Sequence, residues 1–151
     1  MSYELSVTRF IKAPPARVWD VMVNRTNEWW CPVPWRAEVD FGARKPGSAM
    51  HTVMYGPDGE VDEHPGFLLA WDEGRRFAST DAIEGDLQPG GPFMLGIWEV
   101  APEESDGVGG TRYTARARHW TAESMAHHKE MGFEQGWGAC ADQLKALCEA
   151  G

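Results

Sequence analysis

His119 closes the alternating segment "TRYTARARHW" (111–120), on the parity of Tyr113, Ala115 and Ala117 rather than that of Arg112, Thr114, Arg116 and Arg118. An inward imidazole with an unperturbed pKa near 6.5 suits a general base or a hydrogen-bonding contact to a ligand. The same position also suits a core histidine tied to a backbone group or to the start of the next helix. Asp81 follows "FAST"; if Phe77 and Ser79 face inward, so does Asp81, and a carboxylate beside His119 would make an acid–base pair. The alternative for Asp81 is a turn residue at the end of a strand.

Other reactive residue types lack partners. His127 and His128 are adjacent, so on a helix they point about 100° apart and cannot chelate as an i, i+4 pair does. With no H-E-x-x-H, a solvated helix face is expected for both and no metal site is assigned. His51 opposes Met50, Thr52 and Met54 and is expected at the surface. Cys31 sits between Trp30 and Pro32 with no local base, and Cys140 lies on an apolar stripe as a small hydrophobe. There is no G-x-S-x-G and no glycine-rich loop between a strand and a helix, so no cofactor is expected.

The elements that must position these residues follow from periodicity. "ELSVTRFI" (4–11) alternates as a strand, and "APPARVWDVMV" starts a short helix with its prolines and brings Val18, Val21 and Met22 to one face. Pro32 and Pro34 break "NRTNEWWCPVPW" into an irregular loop. Strands are expected in "WRAEVDF" (35–41), "AMHTVMY" (49–55), "GFLLAW", "RRFASTDA", "FMLGIWEV" and "TRYTARARHW". "GPDGE" (56–60) is a tight turn, residues 84–92 a loop and "PEESDGVGG" (102–110) a polar hairpin tip. From an N-cap at Thr121 a long helical pattern follows, with Phe133, Trp137, Cys140 or Ala141, Leu144, and Leu147 or Cys148 on one stripe. An antiparallel sheet with one wet face must bury the other, and the long helix is the element large enough to cover it. The expected fold is α+β: a curved sheet of about six or seven strands around a C-terminal helix, in a single domain over 1–151.

The wall between sheet and helix is then the candidate ligand site. Its strand residues are Trp35, Met50 and Met54, then Phe67, Leu69 and Trp71, then Met94 and Trp98, with Tyr113 and His119 on the last strand. The helix contributes Phe133, Gly136 and Trp137. Methionine and tryptophan form an adaptable aromatic surface that suits an apolar ligand with one or two orienting polar contacts, and equally a fully packed core. "EMGFEQGWGACADQL" (130–144) carries three glycines, each costing about 1 kcal/mol relative to alanine in a helix interior. Gly132 and Gly136 are four apart and share a face, where they would permit close approach to the sheet or leave space. Gly138 points elsewhere.

Composition narrows the partners. The chain has 151 residues, eight Trp and a formal net charge of −9. That acidity argues against nucleic acid and against an anionic membrane surface. No apolar run approaches the ~20 residues of a membrane helix, and the N-terminal stretch has no secretory pattern. Cys140 and Cys148 are eight apart on a helix, too far to bridge, so the three cysteines are expected as reduced thiols in the cytoplasm.

The whole chain resembles the START-like, polyketide-cyclase-like superfamily (SRPBCC). Within it, the chain is similar to the family of the C-terminal domain of the heat-shock protein 90 ATPase activator. The resemblance is carried by "TRFIKAPPARVWD" (8–20), Trp-Trp-x-Pro (29–32), "VMYGPDGE" (53–60), "GGTRYTARARHW" (109–120) and "MGFEQGW" (131–137). "DEGRRF" (72–77) stands where that family usually has Asp-Pro-Pro before its Arg. The resemblance implies a helix-grip fold and a cavity for apolar or amphipathic ligands, without a universal catalytic set. The expected function is a cytoplasmic binding protein for a small hydrophobic or aromatic molecule. The alternatives are a polyketide-cyclase-like or small hydrolase-type enzyme using His119, and a chaperone partner of the heat-shock protein. The last has less support, because the chain leaves no room for the activator's separate N-terminal domain.

Overall fold

The computed structural model describes residues 3–91 and 93–150. Strand β1 (Tyr3–Ile11) leads into helix α1 (Pro15–Asn24) and a single 3-10 turn, Thr26–Glu28. Strands β2 (Arg36–Asp40), β3 (Ala49–Tyr55), β4 (Val61–Asp72) and β5 (Arg76–Thr80) follow as hairpins. A small ribbon of β6 (Ile83–Glu84) and β7 (Gln88–Pro89) precedes β8 (Leu95–Ser105) and β9 (Val108–His119). Helices α2 (Ala122–Glu130) and α3 (Phe133–Glu149) close the chain. Seven strands form one antiparallel sheet in the order β1-β9-β8-β5-β4-β3-β2. The fold is α+β with the helix-grip arrangement.

Two local readings change. The polar tip expected over 102–110 is strand almost throughout, since β8 and β9 pair as far as Ser105 and Val108. Only Asp106 and Gly107 turn, both at positive φ (51° and 77°), as a two-residue hairpin requires. The 84–92 loop contains the β6–β7 ribbon.

The C-terminal pattern is two helices, not one. Thr121 caps α2 as expected, its hydroxyl accepting from the Ser124 amide at 3.0 Å. Met131 and Gly132 then interrupt the chain, and Gly132 starts α3 in the left-handed conformation at φ 95°. Gly132 is therefore a break between helices, not a space on a helix face. Gly138 is buried instead, and a Cβ there would lie 3.1 Å from the Arg9 guanidinium on β1. Its missing side chain leaves room for the Arg9 guanidinium against the helix.

Helix α3 docks chiefly along β1. Arg9 pairs with Asp142 at 2.8 Å, Lys145 Nζ donates to the Phe10 carbonyl at 2.7 Å, and Arg17 Nε on α1 donates to the Cys148 carbonyl at 2.8 Å. The last contact satisfies a carbonyl that the helix end leaves open. On the opposite face of the sheet, Glu4 bridges Arg116 and Arg118, so the outward arginines of β9 are paired.

Gly132→Ala places a Cβ in the left-handed region, which costs about 1–2 kcal/mol. Chemical denaturation should show a loss of that size; unchanged stability would exclude Gly132 as a required break.

Candidate functional site: a pocket between sheet and α3

Four of the eight tryptophans, Trp30, Trp71, Trp98 and Trp137, explain how the sheet is joined to α3. Trp71, Phe77, Trp98 and Trp137 stack in sequence with centroid separations of 5.5, 5.0 and 5.4 Å, running from β4 through β5 and β8 to the helix. Phe133 continues the row at 4.7 Å from Trp137. Trp30 meets both Trp98 and Trp137 edge-on at 5.5 and 5.3 Å. Offset and edge-on ring pairs add roughly 0.5–1.5 kcal/mol each beyond their buried area.

Beside this row lies a pocket of about 320 Å³. Its floor and walls include Trp30, Cys31, Phe77, Trp98 and Trp137, with Met50, Met54 and Met94 across from them. Gly136 belongs to the wall, and a Cβ built there would have nothing within 4 Å. Exposed His64 and Pro65 stand at the rim.

The loop forming one wall is held by a residue that sequence reasoning did not single out. The Gln143 carboxamide donates to the Trp29 and Cys31 carbonyls at 2.8 and 2.9 Å and accepts from the Val33 amide at 3.1 Å. The Cys31 amide in turn donates to Cys140 Sγ at 3.2 Å. Trp29 is fully buried against Tyr113, and its indole N–H donates to the Met22 carbonyl. Gln143 sits one position from the apolar stripe, which was the available signal.

Several expected wall residues lie elsewhere. Trp35 precedes β2 in a turn whose amide bonds to the Pro32 carbonyl, so the inward parity of Ala37, Val39 and Phe41 does not extend back to it. Leu69 is 37% exposed while Leu68 is fully buried. A bulge between Leu68 and Ala70 shifts the register, which turns Trp71 inward and leaves Phe67 and Leu69 on the outer parity. Trp71 and Phe133 belong to the aromatic row rather than the pocket wall, and Tyr113 is enclosed in the core with an unpartnered hydroxyl.

His119 stands behind the pocket, and the anticipated pair with Asp81 is not formed. Its Nδ1 lies 2.9 Å from the Tyr3 carbonyl oxygen, and its Nε2 lies 2.9 Å from His128 Nδ1. Asp81 does line the pocket, but its Oδ1 accepts from the Phe93 and Met94 amides at 2.8 and 3.3 Å. The carboxylate shapes the loop that delivers Met94.

His128 corrects the solvated-face expectation. It is 7% exposed, packs among Phe93, Phe133 and Trp137, and belongs to the pocket wall. His127 and His51 are exposed as expected. Alternation of helical faces separates the two neighbours, and the break at Gly132 lets α2 turn His128 toward β9. Burial first, then the neighbouring His119 and His127, pushes the His128 imidazole down to about 4.

All three cysteines are buried thiols. Desolvation pushes Cys140 up to about 12 and Cys148 to about 11, and raises Cys31 as well. Among the described residues no three His, Cys, Asp or Glu side chains gather to hold a metal ion, and no helix is long and apolar enough to cross a membrane.

A curved seven-stranded sheet gripping a C-terminal helix over an aromatic pocket defines a START-like domain. Residues 12–149 match the activator of Hsp90 ATPase homolog 1-like family, and the chain belongs to that family. A protein from Nitrosomonas europaea is 32% identical with a TM-score of 0.84, covering 97% of this chain and 94% of its own. A protein from Mycobacterium smegmatis is 27% identical with a TM-score of 0.77, covering 99% and 92%. An AHSA1 protein from Silicibacter pomeroyi shares the fold at 18% identity, with a TM-score of 0.70 and coverage of 95% and 96%. No curated protein matches.

Two outcomes follow. A thiol reagent at pH 8 should find no fast-reacting cysteine until denaturant is added; one rapid equivalent in the native state would contradict the buried thiols. Acid should also destabilise the fold through His128. The unfolded ring binds a proton below about 6.5 and the folded ring only below about 4, so stability falls as pH drops through that window, by up to about 3 kcal/mol. Urea midpoints between pH 7 and 4 test this, and His128→Phe should flatten the slope.

Proposed function

We propose that the chain binds a small hydrophobic or aromatic molecule in the pocket between the sheet and α3, and that binding rather than catalysis is its role. The observation that carries this reading is Gly136. A glycine in the interior of α3 gives up about 1 kcal/mol of helix stability relative to alanine, yet no neighbour demands its absence of a side chain. What the missing side chain leaves is volume, bounded by Trp30, Trp98, Trp137 and three methionines. A pocket of about 320 Å³ lies at the lower end of the range usual for small-molecule sites.

Local polar groups support binding over turnover. Both ring nitrogens of His119 are engaged, Asp81 is tied to two amides, and Cys140 is far from a thiolate at neutral pH. The family description names an activator of a chaperone ATPase, but no feature of the pocket calls for a protein partner.

N-phenyl-1-naphthylamine, a neutral apolar fluorophore, should gain emission on binding and quench tryptophan fluorescence. Gly136→Ala should keep or raise thermal stability, whereas Gly136→Leu should retain the fold and lower probe affinity at least tenfold. Undiminished binding by Gly136→Leu would place the ligand elsewhere.

A further inference from the structure

The two histidines, one behind the pocket and one in its wall, fix the direction of a hydrogen bond at that wall. A backbone carbonyl only accepts, so the 2.9 Å contact to the Tyr3 oxygen places a proton on His119 Nδ1. In the neutral ring His119 Nε2 is then a lone pair, and the 2.9 Å contact to His128 requires that His128 Nδ1 be the donor. A neutral His128 with its proton on Nδ1 has a lone pair on Nε2. That nitrogen is the one polar side-chain atom His128 has left to offer the pocket, and it is an acceptor.

The surroundings favour the neutral pair. Both rings are buried, and no carboxylate hydrogen-bonds to either. The groups packed around His128 are His119 from β9, Phe93 from the loop before β8, Phe133 and Trp137 from α3, and His127 from its own helix. None is an acid that would hold an imidazolium. Among the described wall residues there is also no Lys or Arg, while the Asp81 carboxylate is present. An anionic ligand would enter without a counter-charge and against a like charge.

We propose that the pocket selects an uncharged aromatic molecule carrying a hydroxyl group, whose proton His128 Nε2 accepts. This rests on the pocket being a ligand site and names the class of ligand it takes. The hydroxyl supplies the donor; the rings of Trp98 and Trp137 and the methionines supply the apolar contact. The Tyr3 carbonyl acts at a distance, by holding His119 in the tautomer that makes His128 an acceptor.

The experiment compares three probes of one shape by titration calorimetry at pH 7.5: 2-naphthol, 2-methoxynaphthalene and 2-naphthoate. The naphthol should bind about five- to tenfold more tightly than its methyl ether, the size of one net hydrogen bond, and the carboxylate should not bind detectably. His128→Phe should abolish the difference between naphthol and ether. Equal affinity of naphthol and ether in the wild type overturns this proposal and leaves the pocket reading standing. A naphthol preference that persists in His128→Phe assigns the contact to another acceptor and also overturns it. Failure of both neutral probes to bind overturns both. A variant-free check is long-range ¹H–¹⁵N NMR of the imidazoles: His119 and His128 should both be Nδ1–H tautomers, and a proton on His128 Nε2 would overturn the assignment.

Discussion

The Gln143 carboxamide is the contact on which the site depends. The chain from Trp29 to Pro34 is irregular, because two prolines deny it the amides a helix or strand would use. Its buried polar groups must still find partners, and an unsatisfied one costs about 1–3 kcal/mol. One side chain on α3 meets three of the loop's backbone groups, donating to the part-buried carbonyls of Trp29 and Cys31 and accepting from the exposed Val33 amide. Cys140, one turn earlier, accepts from the Cys31 amide. The helix thereby serves as the missing strand neighbour of a loop. Trp29 is locked into the core, and Trp30 is left as an edge-on wall against Trp98 and Trp137.

From that attachment the aromatic row follows. Rings contributed by β4, β5, β8 and α3 stack in one line, so the helix meets these strands through π surfaces, while along β1 the core is aliphatic, with Val7, Ile11 and Leu144 buried in it. Rigid rings cannot fill irregular space as methionine can. A row of them therefore spaces the helix from the far half of the sheet. Helix α3 hugs β1, where Gly138 lets it approach Arg9, and the volume opens on the other side, toward the methionines of β3. The two glycines within α3 thus have opposite uses: Gly138 removes bulk to bring surfaces together, and Gly136 removes bulk where nothing else approaches.

Much of this architecture is legible in the order of residues. Alternation in β1, β3 and β9, the prolines before α1, the turn at Gly59 and the cap at Thr121 are local, because each rests on the conformational preference of a few adjacent residues. What escaped was non-local. The bulge in β4 reverses the facing of Leu69 relative to Trp71, and no feature of "GFLLAW" announces it. The break at Gly132 was hidden because the apolar stripe begins only at Phe133, and 122–130 carries too little apolar patterning to show a helix of its own. The break lies after His128, and it separates the direction of α2, which sets that ring beside His119, from the direction of α3.

The sequence by itself determined the class of fold, the apolar, Trp- and Met-rich character of one sheet face, and the absence of local catalytic motifs. Those properties are carried by residue type and by periods of two or 3.6, which are the same wherever the segment is placed. Only the tertiary structure decided which residues form the pocket wall, which glycine leaves space, and which histidine meets that space. Those outcomes depend on distances between β9 and α2, between the Trp29–Pro34 loop and α3, and across the aromatic row. His119 was visible as a candidate from its parity, but its role is set by two contacts, the Tyr3 carbonyl at one end of β1 and the His128 ring on α2. Hydrogen-bond direction, unlike hydrophobic pattern, is a property of paired groups, and the pairing exists only once the chain has folded.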